Sequence, residues 1–218
     1  MNINEAALVL IDMQKEDNFN LVNLKTVIKN SKRLVTEVRN KKIPIIYTRQ
    51  INRSDGVGLS KGELLNDDGS PFYYCSGTDK IEIIDEIKPL ESDIIVDKHR
   101  WSAFYETNLD LLLKSLGVKH LIIGGLVTDG CLMTTVFDAY FRDYNIHLIK
   151  DICTTTSEGG HMASLMIMAN WIYTMKVYDT TNLIKLINRE PCQVWEANEP
   201  DSLQFTPELM REVYKKII

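Results

Sequence analysis

Short apolar runs alternate along the chain with longer segments of helical periodicity, and this alternation restricts the possible folds more than any other feature. Six runs have the length and composition of buried strands: Ala6–Ile11, Ile43–Thr48, Asp93–Val96, His120–Ile123, Ile146–Ile149 and Lys176–Tyr178. Apolar residues three and four positions apart predict helices over Leu24–Asn40, Ile81–Ile87, Leu109–Leu116, Leu132–Arg142 and Met162–Ile172. Strands buried on both faces and separated by crossover helices predict the α/β class, with an open parallel sheet.

Two segments fall outside the alternation. Residues 50–80 are rich in Gly, Ser, Asp and Asn. A loop of this length is more often functional or disordered than inert, and we predict that it is a long active-site loop. Residues 191–218 follow a predicted domain of residues 1–190 as a C-terminal extension, with a terminal helix expected from Pro207.

Length and composition exclude several classes of protein. The 218 residues are enough for one sizeable domain, and the net charge of −5 without a Lys/Arg run argues against nucleic-acid or membrane partners. The apolar runs are too short for a signal peptide or a transmembrane span, so a cytoplasmic location is expected. The four cysteines are widely and irregularly spaced, which favours free thiols over disulfides or zinc ligands.

Polar residues that directly follow the predicted strands are the candidates for chemistry, because ligands of open α/β sheets bind beyond the carboxyl ends of the strands. Asp12 follows the first strand, Lys98 the third, and Cys131 ends the turn after the fourth. A cysteine attacks as a thiolate, so we expect a helix N-terminus and a nearby cation to lower its pKa. A carboxylate can accept the thiol proton, and a lysine can keep that carboxylate ionised. Each residue alone also has a structural interpretation, namely a turn cap, a solvated lysine and a packed thiol.

Three motifs, in order along the chain, resemble those of the isochorismatase-like cysteine hydrolases. They are "ALVLIDMQKEDNF" (7–19), "VDKHRWSAFYETNLDLLLKSLGV" (96–118) and "GGLVTDGCLMTTVFDAYFRDYNIHLIKD" (124–151). This superfamily contains nicotinamidases, N-carbamoylsarcosine amidases, ureidoacrylate hydrolases and isochorismatases. The resemblance implies a Rossmann-like three-layer fold, in which a six-stranded parallel sheet has helices on both faces.

The resemblance also implies roles for particular residues. Asp12, Lys98 and Cys131 match the catalytic triad of the family, and the family's cis peptide bond would join Leu126 and Val127. That bond would direct the backbone N–H groups of Val127 and Cys131 towards one substrate oxygen, as an oxyanion hole.

The choice of reaction within the family depends on the cysteine and the histidines. Isochorismatases cleave a vinyl ether without a cysteine nucleophile, whereas Cys131 is retained here, which favours hydrolysis of a C–N bond in a small amide, urea or N-carbamoyl compound. Nicotinamidases usually bind a metal through histidines after the second strand, and residues 49–80 contain none. We therefore predict no metal and no cofactor. His161 matches a frequent histidine of the family and is interpreted as structural.

The substrate-binding residues are less well indicated. Arg49, Arg53 and Arg100 are candidates for pairing with a substrate carboxylate. Trp101 and Phe104 are candidates for an apolar wall, although core packing is an equal alternative for Phe104.

Two alternatives and one expectation about assembly remain. The chain could be an isochorismatase-type vinyl ether hydrolase, or a non-catalytic binding protein with the same fold. The predicted helix Met162–Ile172 is apolar on nearly all sides, which suggests a homodimer or higher homo-oligomer, with cover by the C-terminal segment as the alternative.

Overall fold

One sheet of seven strands forms the centre of the protein in a computed structural model that describes residues 1–217. Its spatial order is β3-β2-β1-β4-β5-β6-β7. The strands are β1 (Ala6–Ile11), β2 (Ile45–Gln50), β3 (Ile94–Lys98), β4 (His120–Gly125), β5 (Asn145–Ile149), β6 (Lys176–Tyr178) and β7 (Trp195–Glu196). The first six are parallel, which confirms the predicted fold class, and the two-residue β7 pairs antiparallel with β6. No pattern predicted β7, because two residues in a polar segment have no recognisable period.

The order of the strands determines where a ligand can bind. The chain leaves β1 towards β2 and β3 on one side, and returns to β4 on the other side. The sheet therefore changes direction between β1 and β4, and such a switch point opens a crevice at the carboxyl ends of the strands. All six residues of β1 are buried, as expected for a central strand covered on both faces.

Six helices accompany the sheet in the described residues: α1 (Leu24–Asn40), α2 (Leu109–Ser115), α3 (Met133–Tyr140), α4 (Glu158–Trp171), α5 (Thr180–Ile187) and α6 (Met210–Tyr214). Helix α5 was not predicted from the sequence, and the terminal helix begins at Met210 rather than at Pro207. None of these helices is long and apolar enough to cross a membrane.

The predicted helix over Ile81–Ile87 is wrong. The segment contains two 3₁₀ turns, Asp79–Ile81 and Asp85–Ile87, on either side of an extended stretch. The Lys15 N–H donates to the carbonyl oxygen of Glu82, and the Ile84 N–H donates to that of Met13. These backbone hydrogen bonds to the chain after β1 replace the bonds that a helix would make internally.

The C-terminal segment covers the helix that is apolar on all sides. Leu203 and Val213 are buried, and the Leu203 N–H donates to the side-chain oxygen of Asn170 in α4 over 2.8 Å. Helix α6 packs against α4. Residues 191–217 thus contribute to the same core as the rest of the chain.

Candidate active site

Asp12, Lys98 and Cys131 meet at the carboxyl ends of β1, β3 and β4. The Lys98 Nζ lies 2.7 Å from Asp12 Oδ2 and 3.5 Å from Cys131 Sγ. All three side chains are buried. The ammonium also donates to Gln50 Oε1 over 2.9 Å and to the carbonyl oxygen of Arg100 over 3.0 Å. A buried charge needs such a full set of partners.

The backbone and β2 fix the position of the Asp12 carboxylate. Asp12 has a φ of 47°, in the left-handed region that a residue with a side chain rarely adopts. Its N–H donates to Thr48 Oγ1 over 3.1 Å, and the Thr48 hydroxyl donates to Asp12 Oδ1 over 2.6 Å. One carboxylate oxygen therefore accepts from a hydroxyl, and the other faces the lysine.

The turn that carries the cysteine begins at Gly125, a position at which only glycine fits. Gly125 has a φ of +132°, and a Cβ at this position would lie 2.1 Å from the carbonyl oxygen of Ile11. The Leu126–Val127 peptide bond that follows is cis. The N–H groups of Leu126 and Thr128 donate to the carbonyl oxygens of Ile11 and Thr154.

A single π-helical turn, Thr128–Leu132, places Cys131 just before α3. The hydroxyls of Thr134 and Thr135 donate to the Cys131 carbonyl oxygen over 3.2 and 2.6 Å. Two hydroxyls of the following helical turn therefore hold the carbonyl group of the cysteine in place.

The expectation of a lowered cysteine pKa is wrong for this structure. Burial raises the pKa of the Cys131 thiol to about 12, and although the Lys98 ammonium acts in the opposite direction, the Asp12 carboxylate offsets it. Burial also opposes the charge of Lys98, but the nearby Asp12 carboxylate outweighs it and raises the lysine pKa. The resting site therefore contains a neutral thiol beside a charged ammonium.

The thiol faces a cavity of about 330 Å³. Its lining is Phe19, Gln50, Asn52, Glu63, Tyr73, Tyr74, Trp101, Val127, Asp129, Gly130 and Cys131. The cavity lies at the switch point between β1 and β4, where a sheet of this order binds its ligand.

Residues 51–80 form one side of the cavity and are fixed to the segment after β1. The buried Glu16 accepts a hydrogen bond from the Tyr74 N–H over 2.7 Å, and the Asn18 amide donates to the Phe72 carbonyl oxygen over 2.8 Å. Phe19 stacks on Tyr73, with ring centroids 4.4 Å apart and planes 7° apart. These contacts place the Tyr73–Tyr74 pair in the cavity.

The structure does not bring the three predicted arginines into the cavity lining. Arg49 forms two hydrogen bonds with Asp97 on the adjacent strand, because the two residues are register partners. Arg53 pairs in the same way with Asp55, two residues further along. The Arg100 guanidinium donates to the carbonyl oxygens of Gly58 and His99.

The two predicted aromatic residues have different positions. Trp101 lines the cavity and is largely exposed. Phe104 is buried outside the cavity lining, where it stacks on Tyr144 with centroids 5.9 Å apart, and the Arg142 guanidinium lies over its ring. Of the two interpretations given for Phe104, core packing is therefore correct.

His161 connects the π-helical turn Thr128–Leu132 to the C-terminal segment. Its Nδ1 lies 2.9 Å from Thr128 Oγ1 and its Nε2 lies 3.2 Å from the Tyr214 hydroxyl. Burial lowers the pKa of His161 to about 4, so the ring is neutral at physiological pH. In residues 1–217, no three His, Cys, Asp or Glu side chains are grouped so that they could bind a metal ion.

Several residues of the cavity were not indicated by any motif. Gln50 ends β2 and Asn52 follows it, and Tyr73 and Tyr74 belong to an aromatic cluster in a loop whose path has no periodic signal. The dense aromatic run "FYY" within a polar segment was the one local sign of a buried role.

A doubly wound sheet with a buried Asp, Lys and Cys at its switch point defines an α/β protein with a candidate nucleophile beside a cavity. Residues 6–181 match the family model described as the isochorismatase domain. The chain therefore belongs to the isochorismatase family of hydrolases.

Relatives and solved structures are consistent with this assignment. The chain is 31% identical to the isochorismatase family protein YaaI of Bacillus subtilis over 78% of the chain and 91% of YaaI. It is 32% identical to nicotinamidase 3 of Arabidopsis thaliana over 75% and 80% of the two chains. It is 27% identical to the ureidoacrylate amidohydrolase RutB of Acinetobacter baylyi over 68% and 70%.

The fold is also that of a crystal structure of a cysteine hydrolase from Pseudomonas syringae pv. phaseolicola. The TM-score is 0.76 at 23% identity, and the match covers 87% of this chain and 95% of that one.

Proposed function

We propose that the protein is a cysteine-dependent hydrolase of a C–N bond in a small amide, urea or N-carbamoyl compound. The observation that carries this proposal is the position of the Cys131 thiol, which faces the cavity and lies 3.5 Å from a lysine paired with a buried carboxylate. Relatives that are named nicotinamidase and ureidoacrylate amidohydrolase support the same bond class.

In the first half of the reaction, the Asp12 carboxylate accepts the thiol proton while the sulfur attacks the substrate carbonyl carbon. A neutral thiol needs this base, because only the thiolate is an effective nucleophile. The Lys98 ammonium stabilises the negative charge as it moves from the carboxylate to the sulfur. The backbone N–H groups of Val127 and Cys131 then donate to the oxyanion of the tetrahedral intermediate.

In the second half, the intermediate collapses and the C–N bond breaks. The leaving nitrogen takes the proton from Asp12, and a thioester between Cys131 and the acyl group remains. Asp12 then accepts a proton from water, which attacks the thioester, and the released thiolate recovers that proton as the acid product leaves.

The experiment is a screen of small amides, ureas and N-carbamoyl compounds for release of ammonia or amine. We expect turnover by the unaltered protein and a loss of at least about 10²-fold in Cys131→Ala, the lower range for a lost catalytic group. Cys153→Ala is the matched control, because Cys153 is also a buried free thiol but does not line the cavity.

Mass spectrometry after rapid quenching adds a second readout. The proposal requires an acyl adduct on Cys131 during turnover. The alternative, a vinyl ether hydrolase, needs no such adduct. Turnover by the Cys131→Ala variant, which cannot form the adduct, would therefore contradict the proposal.

A further inference from the structure

We propose that the cavity beside Cys131 selects a substrate that carries a positive charge, such as an amide with an amino or quaternary ammonium group. This inference rests on the proposed function and specifies the substrate class of the same site. It reverses the expectation of a substrate carboxylate.

The ionisable side chains that line the cavity outside the Asp-Lys-Cys cluster are acidic. Glu63 is half-buried, and in residues 1–217 it forms no ion pair or side-chain hydrogen bond. Asp129 is a second carboxylate of the lining, and its Oδ1 accepts a hydrogen bond from the Thr155 hydroxyl over 2.5 Å. Glu63 is therefore a carboxylate of the cavity without a cationic partner among the described residues.

No arginine or lysine of the described chain is available in the lining to neutralise these carboxylates. The Lys98 ammonium lies behind the thiol and is already paired with Asp12 over 2.7 Å. Lys61 and Arg100 line a neighbouring cavity that shares Glu63 and Trp101 with the first, but neither lines the cavity of Cys131. A substrate carboxylate in this cavity would meet like charge.

Aromatic rings form much of the remaining lining. Phe19, Tyr73, Tyr74 and Trp101 all line the cavity, and the parallel stacking of Phe19 on Tyr73 fixes two of these rings. Cations bind favourably over aromatic faces, and this combination of rings with a carboxylate is typical of sites for quaternary ammonium groups. The cavity volume of about 330 Å³ suits a small ligand.

Binding to the Cys131→Ala variant tests the inference without any need for turnover. The probes are 3-(trimethylammonio)propanamide, its neutral isostere 4,4-dimethylpentanamide, and the anion succinamate. We expect the cationic amide to bind at least about tenfold more tightly than the isostere, with succinamate the weakest. The preference should decrease with salt, because part of it is electrostatic.

Adding Glu63→Gln should reduce the preference for the cationic probe about tenfold. The matched control is Glu91→Gln, which makes the same chemical change at an exposed site and should leave the preference intact. Tyr73→Leu removes one of the two stacked rings and should also reduce the preference for the cationic probe. Circular dichroism confirms that each variant is folded.

Equal affinities for the cationic and neutral amides, or tighter binding of succinamate, would overturn the inference. Wild-type turnover of any member of the series is measured separately. Turnover without charge preference contradicts only the inference, whereas charge-selective binding without any turnover of a C–N substrate contradicts only the proposed function.

Discussion

The residues around Cys131 favour the neutral thiol, so in the proposed reaction its reactivity depends on the arrival of a substrate. Burial is the largest cause of the raised pKa, and the nearby Asp12 carboxylate adds to it. Lys98 opposes this effect only in part, since its charge is shared with Asp12 at 2.7 Å. In the proposed reaction, the proton therefore stays on sulfur until the carbonyl carbon is close enough to attack.

This resting state predicts a distinctive alkylation profile. Because the Cys131 pKa is raised to about 12, its reaction with iodoacetamide should be slow at neutral pH and should rise steadily through pH 9 without a plateau. The half-buried Cys75 and Cys192 should react faster at pH 7. Peptide mapping by mass spectrometry gives the rate at each site.

Cys153 is the control for simple inaccessibility. Burial raises its pKa to about 12 as well, but it does not line the cavity of Cys131 and should stay unmodified while the protein is folded. A Cys131 rate that already reaches a plateau below pH 7 would contradict the expected neutral thiol.

For individual residues, the sequence predicted a place in the site only where the residue lies at the end of a strand. Asp12, Lys98 and Cys131 lie at strand ends or in the turn that follows, and the parallel sheet brings such ends together. The roles of the arginines could not be predicted, because their partners are set by register and local loop geometry. Asp97 pairs with Arg49 only because β2 and β3 align in that way.

For secondary-structure elements, periodicity predicted the long, regular segments. It failed where the backbone forms hydrogen bonds with another part of the chain. Helix α1 has the bounds that its apolar spacing indicated. The segment Ile81–Ile87 has similar spacing, but it forms backbone hydrogen bonds with the chain after β1 instead. The length and composition of the loop after β2 predicted an active-site loop, but without a periodic signal they could not predict which of its residues line the cavity.

The junction of β4 with the turn that carries Cys131 allows a sharp test of backbone geometry. Gly125→Ala should destabilise the protein by roughly 3 kcal/mol or prevent folding, the range for side chains forced into a forbidden conformation. The cause is the close approach of the new Cβ to the backbone of Ile11, together with the φ of +132°. Urea unfolding followed by circular dichroism measures the loss.

Gly159→Ala is the matched control, since it makes the same substitution in the first turn of α4. A Cβ at Gly159 has no neighbour within 4 Å, and alanine favours helix by about 1 kcal/mol over glycine. This variant should be as stable as the unaltered protein or more so. Equal effects of the two substitutions would contradict the proposed constraint at Gly125.

The C-terminal segment of the chain covers part of α4 and leaves another part exposed. Leu203 and α6 pack on one side. Trp171 and Tyr173 at the end of the helix remain 48% and 53% exposed, and Phe141 at the end of α3 is 71% exposed. The ring of Tyr140 contacts those of both Phe141 and Tyr173, which makes these three aromatic residues one continuous patch.

An exposed aromatic patch of this kind is typical of a subunit interface, so we expect the protein to form a dimer through it. Two-fold symmetry is the default, because it lets the same patch contact itself. Light scattering at micromolar concentration should give about 50 kDa, twice the 25.0 kDa chain mass. Phe141→Glu should shift the mass towards the monomer, because it places a charge in the apolar contact, whereas Glu91→Gln should not. A mass near 25.0 kDa for the unaltered protein would show that the C-terminal segment alone gives α4 sufficient cover.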